Sequence, residues 1–107
     1  MPLIKVQYDN AVLTETEVND LCHAAQKIVK QVTGIEATFV YGNSAHINID
    51  VPPVEVLIEM SDHKIADEEA LLKEIGEALR GWKKESSFPH PINLVLIPMH
   101  WKIEFDI

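Results

Sequence analysis

The residue with the clearest chemical potential is Pro2, which directly follows the initiator methionine. Initiator methionine is commonly trimmed ahead of a small residue such as proline. Trimming would leave Pro2 with a free secondary amine, and burial against an apolar sheet lowers the pKa of an amine, so that it can act as a base. While Met1 is attached, the Pro2 nitrogen is an amide and cannot be a base. Pro2 is then a strand-starting proline with no ladder N–H to lose.

Metal-ligand types also occur close together in the sequence, as His46-x-x-x-Asp50 and Asp62-His63. With five histidines and 17 acidic residues, such proximities arise without function, so we predict no metal and no cofactor. The chain has no Gly-rich phosphate loop, no cysteine pair for zinc and no Ser or Cys nucleophile signature. Its one cysteine, Cys22, falls on an apolar helical stripe, and we expect it to be inert.

Length and charge narrow the classes of function. The 107 residues suit one domain, residues 1–107, with one core. The net charge of −8 repels phosphate backbones and anionic lipids, so no nucleic acid and no membrane partner is expected. No apolar run approaches the roughly 20 residues of a membrane span, and no secretory signal is evident. Together with the lone cysteine, this predicts a cytoplasmic protein.

The elements that would position Pro2 follow from periodicity. Ile4, Val6 and Tyr8 alternate with Leu3, Lys5 and Gln7, which is close to a period of two and predicts a first strand. Thr14 and Glu17 fit a capping box, and Gly34 fits a helix stop, so a helix is expected between them. Its apolar stripe comprises Val18, Leu21, Cys22, Ala25, Ile28, Val29 and Val32. Residues 35–41 read as a second strand, and residues 45–51 as a short edge strand or an ordered loop.

The second half repeats this order. Residues 54–60 predict a third strand, and residues 66–84 a helix that either continues through Gly81 or ends there. Its predicted core stripe comprises Leu72, Ile75, Leu79 and Trp82. Residues 92–98 are nearly all apolar, which is typical of a strand central in its sheet. Residues 101–106 alternate cleanly, which predicts a last strand.

Each half therefore reads strand, helix, strand, with halves of about 1–51 and 52–107. Pro2 opens one half and Pro53 the other, and the order and spacing of the elements indicate a pseudo-repeat. Two joined βαβ units predict an α+β fold, in which a four-stranded mixed sheet carries two helices on one face, with short extra strands.

A proline directly after the initiator methionine, opening a paired βαβ chain of this length, resembles the tautomerase superfamily. The segments that carry the resemblance are Met1-Pro2-Leu3-Ile4, Pro53-Val54-Glu55-Val56 and Leu94-Val95-Leu96-Ile97-Pro98, the last two being similar to a poorly characterised bacterial branch. The resemblance implies a homotrimer in which an amino-terminal proline moves protons in keto–enol tautomerisation of a small 2-oxo acid.

Residue by residue, only Pro2 carries over firmly as catalytic. The arginines that clamp substrate carboxylates in well-studied branches have no counterpart, because the one arginine, Arg80, lies late in the second helix. Lys30 and Lys5 are candidate cationic substitutes, although Lys30 also fits a solvated helix end. Tyr41 and Trp101 are candidate pocket walls that equally suit core or interface packing. His100 is a candidate acid or substrate donor.

Two functions of different classes are thus open. The first is a tautomerase or isomerase that uses Pro2 as a general base on a small carbonyl acid. The alternative is a non-catalytic trimeric scaffold or interaction protein that retains the fold, which the missing arginines and the Met1 amide favour. A metal site is a third, weaker hypothesis.

Overall fold

The computed structural model describes residues 1–107 and contains two long helices and four strands. In chain order the elements are β1 (Leu3–Tyr8), α1 (Glu15–Thr33), β2 (Phe39–Asn43), β3 (Val54–Ser61), a 3-10 turn (Asp62–Lys64), α2 (Glu68–Ser86) and β4 (Asn93–Met99). The strands form one sheet in the order β2-β1-β3-β4. The predicted α+β class with a four-stranded mixed sheet is confirmed.

The strand pairing divides the chain into two similar halves. β1 pairs in parallel with β2, and β3 pairs in parallel with β4, so that each half is a βαβ unit. The halves join through β1 and β3, which are antiparallel, with Leu3 opposite Glu59 and Tyr8 opposite Val54. The two predicted βαβ units are therefore present, and β1 and β3 are the central strands.

The ends of α1 follow the sequence signals. Thr14 Oγ1 accepts a hydrogen bond from the Glu17 N–H over 3.1 Å, and Glu17 Oε1 accepts one from the Thr14 N–H over 2.8 Å. Gly34 ends the helix at φ 71°, and its N–H donates to the Lys30 carbonyl. Both predicted helix boundaries are confirmed, because a capping box and a left-handed glycine satisfy end groups that the helix itself leaves unpaired.

The core lies between the sheet and both helices. Ile4 and Val6 of β1 and Val54, Val56 and Ile58 of β3 are fully buried. They belong to one hydrophobic cluster with the stripe of α1 and with Ile75 and Leu79 of α2, so both helices cover the same face of the sheet. Of the predicted stripe of α2, Ile75 and Leu79 are buried and Trp82 packs against the core, but Leu72 is exposed and Leu71 packs there instead.

No helix covers the opposite face of the sheet, which we call the open face. Strand alternation places Leu3 there, together with a row of residues in register across the four strands, Tyr41, Lys5, Leu57 and Val95. Tyr41 is 57% exposed, whereas Leu57 and Val95 are half-buried. The sheet is thus amphipathic only in part, since its uncovered face retains apolar side chains.

Five predictions about elements need correction or completion. Residues 101–106 form no strand, nor do residues 45–51, so the short extra strands are absent from this chain alone. An alternating segment becomes a strand only where another edge supplies hydrogen bonds, and no strand of the sheet pairs with residues 101–106. β4 is an edge strand, not a central one. β2 begins at Phe39, later than predicted, and α2 continues through Gly81 to Ser86.

Candidate functional site

One end of the sheet gathers most of the candidate residues. β1 and β2 are parallel and begin at this end, with Leu3 opposite Phe39. β3 is antiparallel to β1, so the last residues of β3, including Glu59, lie at this end. β4 is parallel to β3, so its last residue, Met99, lies here too. The topology therefore brings Pro2 together with the residues that follow β3 and β4, which are more than 50 positions away in sequence.

Pro2 itself is held firmly at this end. Its side chain is fully buried. Its carbonyl oxygen accepts a hydrogen bond from the Phe39 N–H over 3.1 Å, which extends the β1–β2 pairing by one step. Its nitrogen is in the peptide bond to Met1. The ring position is thus set by burial and by the carbonyl hydrogen bond, both of which are independent of that peptide bond.

A pocket of about 260 Å³ opens at this end of the sheet, next to the two chain neighbours of Pro2, although Pro2 itself is not among its lining residues. Its walls are formed by Met1, Leu3, Glu59, Met99 and Trp101. Four of these five side chains are apolar, and the exception is the Glu59 carboxylate. Because Met1 is itself a wall of this pocket, loss of Met1 would expose the Pro2 nitrogen in the region that Met1 now lines. We call this cavity the Pro2 pocket.

The charged group of the Pro2 pocket is paired. Lys5 Nζ lies 2.8 Å from Glu59 Oε2, and both side chains are partly shielded from solvent. Lys5 is on the open face, two residues along β1 from Leu3. An ion pair that is partly shielded is held more firmly than a fully solvated one, because solvent screening is reduced.

The other predicted site residues are distributed unevenly around this end. Trp101 lines the Pro2 pocket. Lys30 Nζ lies 3.5 Å from Glu36 Oε1 and is not among the lining residues. Tyr41 lies opposite Lys5 on the open face. His100 does not line the Pro2 pocket, and its side chain is 86% exposed.

His100 instead belongs to a small polar cluster on the 3-10 turn. His100 Nδ1 lies 3.8 Å from Asp62 Oδ2, and Ser61 Oγ lies 2.7 Å from His63 Nδ1. His63 Nδ1 lies 4.0 Å from Asp62 Oδ1. No group of three or more His, Cys, Asp or Glu residues is arranged to hold a metal ion, so neither Asp62-His63 nor His46 with Asp50 forms such a group.

Sequence reasoning missed three contributors to the Pro2 pocket: Leu3, Glu59 and Met99. Glu59 had a detectable signal, because it is a charge on the face of an apolar strand that alternation turns away from the core. Met99 and Leu3 had none, since an apolar residue at a strand end reads equally well as core. Their role depends on which strand ends meet.

A second groove lies between α1 and β2 and contains Cys22, His23 and Gly42. Burial raises the pKa of the Cys22 thiol, which disfavours the reactive thiolate. The prediction that Cys22 is inert agrees with this environment.

No helix of the structure combines the length and the apolar character that a membrane crossing requires.

Comparisons with known proteins identify the fold. No protein-family model and no curated protein matches the chain. Among solved structures, a fused 4-OT symmetric trimer aligns with a TM-score of 0.64 at 11% identity and covers 95% of this chain and 93% of its own. A 5-carboxymethyl-2-hydroxymuconate delta-isomerase aligns at 0.62 and 14%, covering 99% and 89%. Macrophage migration inhibitory factor from Giardia lamblia aligns at 0.55 and 14%, covering 89% and 96%.

Proposed function

The chain has the fold of the tautomerase superfamily, and from this premise we propose that it is a tautomerase-like isomerase in which Pro2, freed of Met1, is the general base. The observation that carries the proposal is the position of Met1. It lines the pocket beside a fully buried Pro2, so its removal would open the proline nitrogen to that pocket.

The chemistry needs one proton to move. A 2-oxo acid in its enol form loses the hydroxyl proton to the Pro2 nitrogen, and the resulting prolinium returns a proton to the adjacent carbon. The product is the keto acid, and the amine is restored. Burial favours the neutral, basic form of the amine before the reaction begins, because desolvation disfavours the charged form.

The walls of the Pro2 pocket support a small carbonyl acid as the substrate. Leu3, Met99 and Trp101 offer an apolar surface to the side chain of the substrate and exclude water from the reacting carbon. The volume of about 260 Å³ lies below the roughly 300–1,000 Å³ typical of sites for drug-sized ligands. A substrate with at most one ring suits this space.

We propose further that the chain assembles as a homotrimer through the open face. One similar structure is described as a symmetric trimer. The open face carries Tyr41, Leu57 and Val95 without a covering helix, and an apolar sheet face of this kind gains stability when another subunit covers it.

Two measurements test the proline mechanism. The intact mass of untagged protein made in a bacterial cytosol is expected to lack one methionine. Pro2→Ala is then expected to lower the rate of ketonisation of a phenylpyruvate-type enol by about 100-fold or more, the usual contribution of a general base. Pro53→Ala is the matched control, because Pro53 holds the same position before β3 that Pro2 holds before β1.

The outcomes separate the enzyme from the scaffold. A mass that retains Met1, or an undiminished rate in Pro2→Ala, would overturn the proline mechanism. A trimeric scaffold that keeps the fold without the chemistry would then account for the open face and for the absence of an arginine among the residues that line the Pro2 pocket.

A further inference from the structure

One partner of the Lys5–Glu59 ion pair, Glu59, lines the Pro2 pocket, and Lys5 reaches the pocket wall only through this contact. The two residues are on neighbouring strands but are not directly opposite, since Lys5 faces Leu57 and Glu59 faces Leu3. The 2.8 Å contact between Lys5 Nζ and Glu59 Oε2 therefore runs diagonally, and the lysine side chain leans toward the start of β1. Its ammonium group touches a residue of the pocket wall.

The charge of the protein makes this position significant. With a net charge of −8, the chain repels the anion of a carbonyl acid, so a bound carboxylate needs a local cation. Lys30 is paired with the highly exposed Glu36, which does not line the pocket. Lys5 is held against the wall, but its charge is already matched by Glu59.

We propose that Lys5 binds the carboxylate of the substrate and that the Glu59 carboxylate pairs with Lys5 when the pocket is empty. The substrate must displace one carboxylate from the ammonium group, so Glu59 sets how readily anions enter. A second carboxylate on the same ligand would face the displaced Glu59 and be repelled. The pair therefore selects monocarboxylates with an apolar or aromatic side chain over dicarboxylates. This inference rests on the proposed function for the substrate class.

An unreactive ligand tests binding apart from catalysis. The probe is 3-phenylpropanoate, which has no keto or enol group, and 3-phenylpropanamide is its uncharged counterpart. Binding is followed through the indole N–H signal of Trp101 in NMR spectra, which Trp101→Phe assigns. In Glu59→Gln we expect the carboxylate to bind about tenfold more tightly, and in Lys5→Met about tenfold more weakly, the scale of one charge-assisted hydrogen bond.

The controls separate the pair from general charge effects. Lys27→Met and Glu77→Gln make the same charge changes at exposed helix positions and are expected to leave binding of the carboxylate within about twofold. The amide is expected to bind equally to the wild type, Lys5→Met and Glu59→Gln. Phenylsuccinate, a dicarboxylate, is expected to gain more from Glu59→Gln than 3-phenylpropanoate does.

Specific results would overturn the inference. Unchanged carboxylate binding in Lys5→Met, or weaker binding in Glu59→Gln, would remove the proposed roles. Lys5→Arg keeps the charge and is expected to keep the binding; if Lys5→Met fails to fold, Lys5→Gln replaces it. Because the probe is not turned over, loss of the proline mechanism would leave these binding results standing, and the two proposals fail independently.

Discussion

The N–H of Phe39 donates a hydrogen bond to the carbonyl oxygen of Pro2 over 3.1 Å. This bond fixes Pro2 to the second strand through its carbonyl, on the opposite side of the residue from the bond to Met1. Removal of Met1 would therefore leave the proline anchored in the sheet. An amine that is anchored in this way keeps its position relative to the pocket walls, which proton transfer requires.

The loss of folding stability in acid should depend on Glu17, the N3 residue of α1. Its Oε2 atom lies 3.0 Å from His90 Nε2. The hydrogen bond from the Thr14 N–H, together with that to His90, lowers the pKa of Glu17 from its ordinary value of 4.5. A lowered folded-state pKa stabilises the protein above the ordinary value, and this stabilisation is lost as the pH falls through the lowered value.

We therefore expect the urea midpoint to fall between pH 5 and the acid limit of folding, and to fall less steeply in Glu17→Gln. Chemical unfolding at a series of pH values measures this slope. Glu77→Gln, at an exposed site on α2, makes the same chemical change and should keep the steep slope. Equal slopes in the wild type and Glu17→Gln would show that Glu17 does not contribute.

Two glycines should respond oppositely to the same substitution. Gly81 lies inside α2 with nothing near the position of an added Cβ, so Gly81→Ala is expected to stabilise the protein by about 0.5–1 kcal/mol. Gly34 has φ 71°, where a side chain is strained, and Gly34→Ala is expected to cost about 1–2 kcal/mol. Thermal and urea unfolding measure both changes, and effects of the same sign would contradict this account.

Truncation of the core should separate buried from exposed isoleucines. Ile58 of β3 is fully buried, and Ile58→Ala is expected to cost about 2–5 kcal/mol of unfolding free energy through lost burial and a residual cavity. Ile49, which is 77% exposed, is the matched control, and Ile49→Ala should change stability by less than about 0.5 kcal/mol. A small loss at Ile58 would mean that the sheet and helices are packed differently.

The open face should control self-association. Leu57→Glu places a charge in the middle of that face, where burial in an interface is costly, and is expected to convert the proposed homotrimer to monomers at micromolar concentration. Sedimentation velocity measures the change. Ile47→Glu makes a similar change on an exposed loop residue and should leave the assembly intact. A trimer that persists in Leu57→Glu would place the interface elsewhere.

Much of the fold follows from local patterns. Alternation in β1 predicted that Ile4 and Val6 would face the core, and both are fully buried. The boundaries of α1 depend on the Thr14–Glu17 capping box and on Gly34, which act within a few residues of one another. Such features are readable in a sequence because the interacting groups are neighbours in the chain.

The same reasoning failed where the partner is distant. Residues 101–106 alternate as a strand does, but no other strand pairs with them. The apolar run of β4 predicted a central strand, but β4 lies at an edge of the sheet. Alternation describes the faces of a segment and carries no information about its edges. Hydrogen bonds along an edge depend on which strand lies beside it, and that depends on the whole topology.

The candidate site divides in the same way. Pro2 could be singled out from its type and place alone, and Trp101 as an aromatic that could line a pocket. The antiparallel junction of β1 and β3 is what brings Glu59 beside Leu3 and within reach of Lys5. Sequence by itself determined the two helices, the four strands of the sheet and the candidate base, although not every strand boundary or edge. Tertiary structure decided which charge and which walls surround that base, because residues far apart in the chain meet only when the two βαβ halves pair.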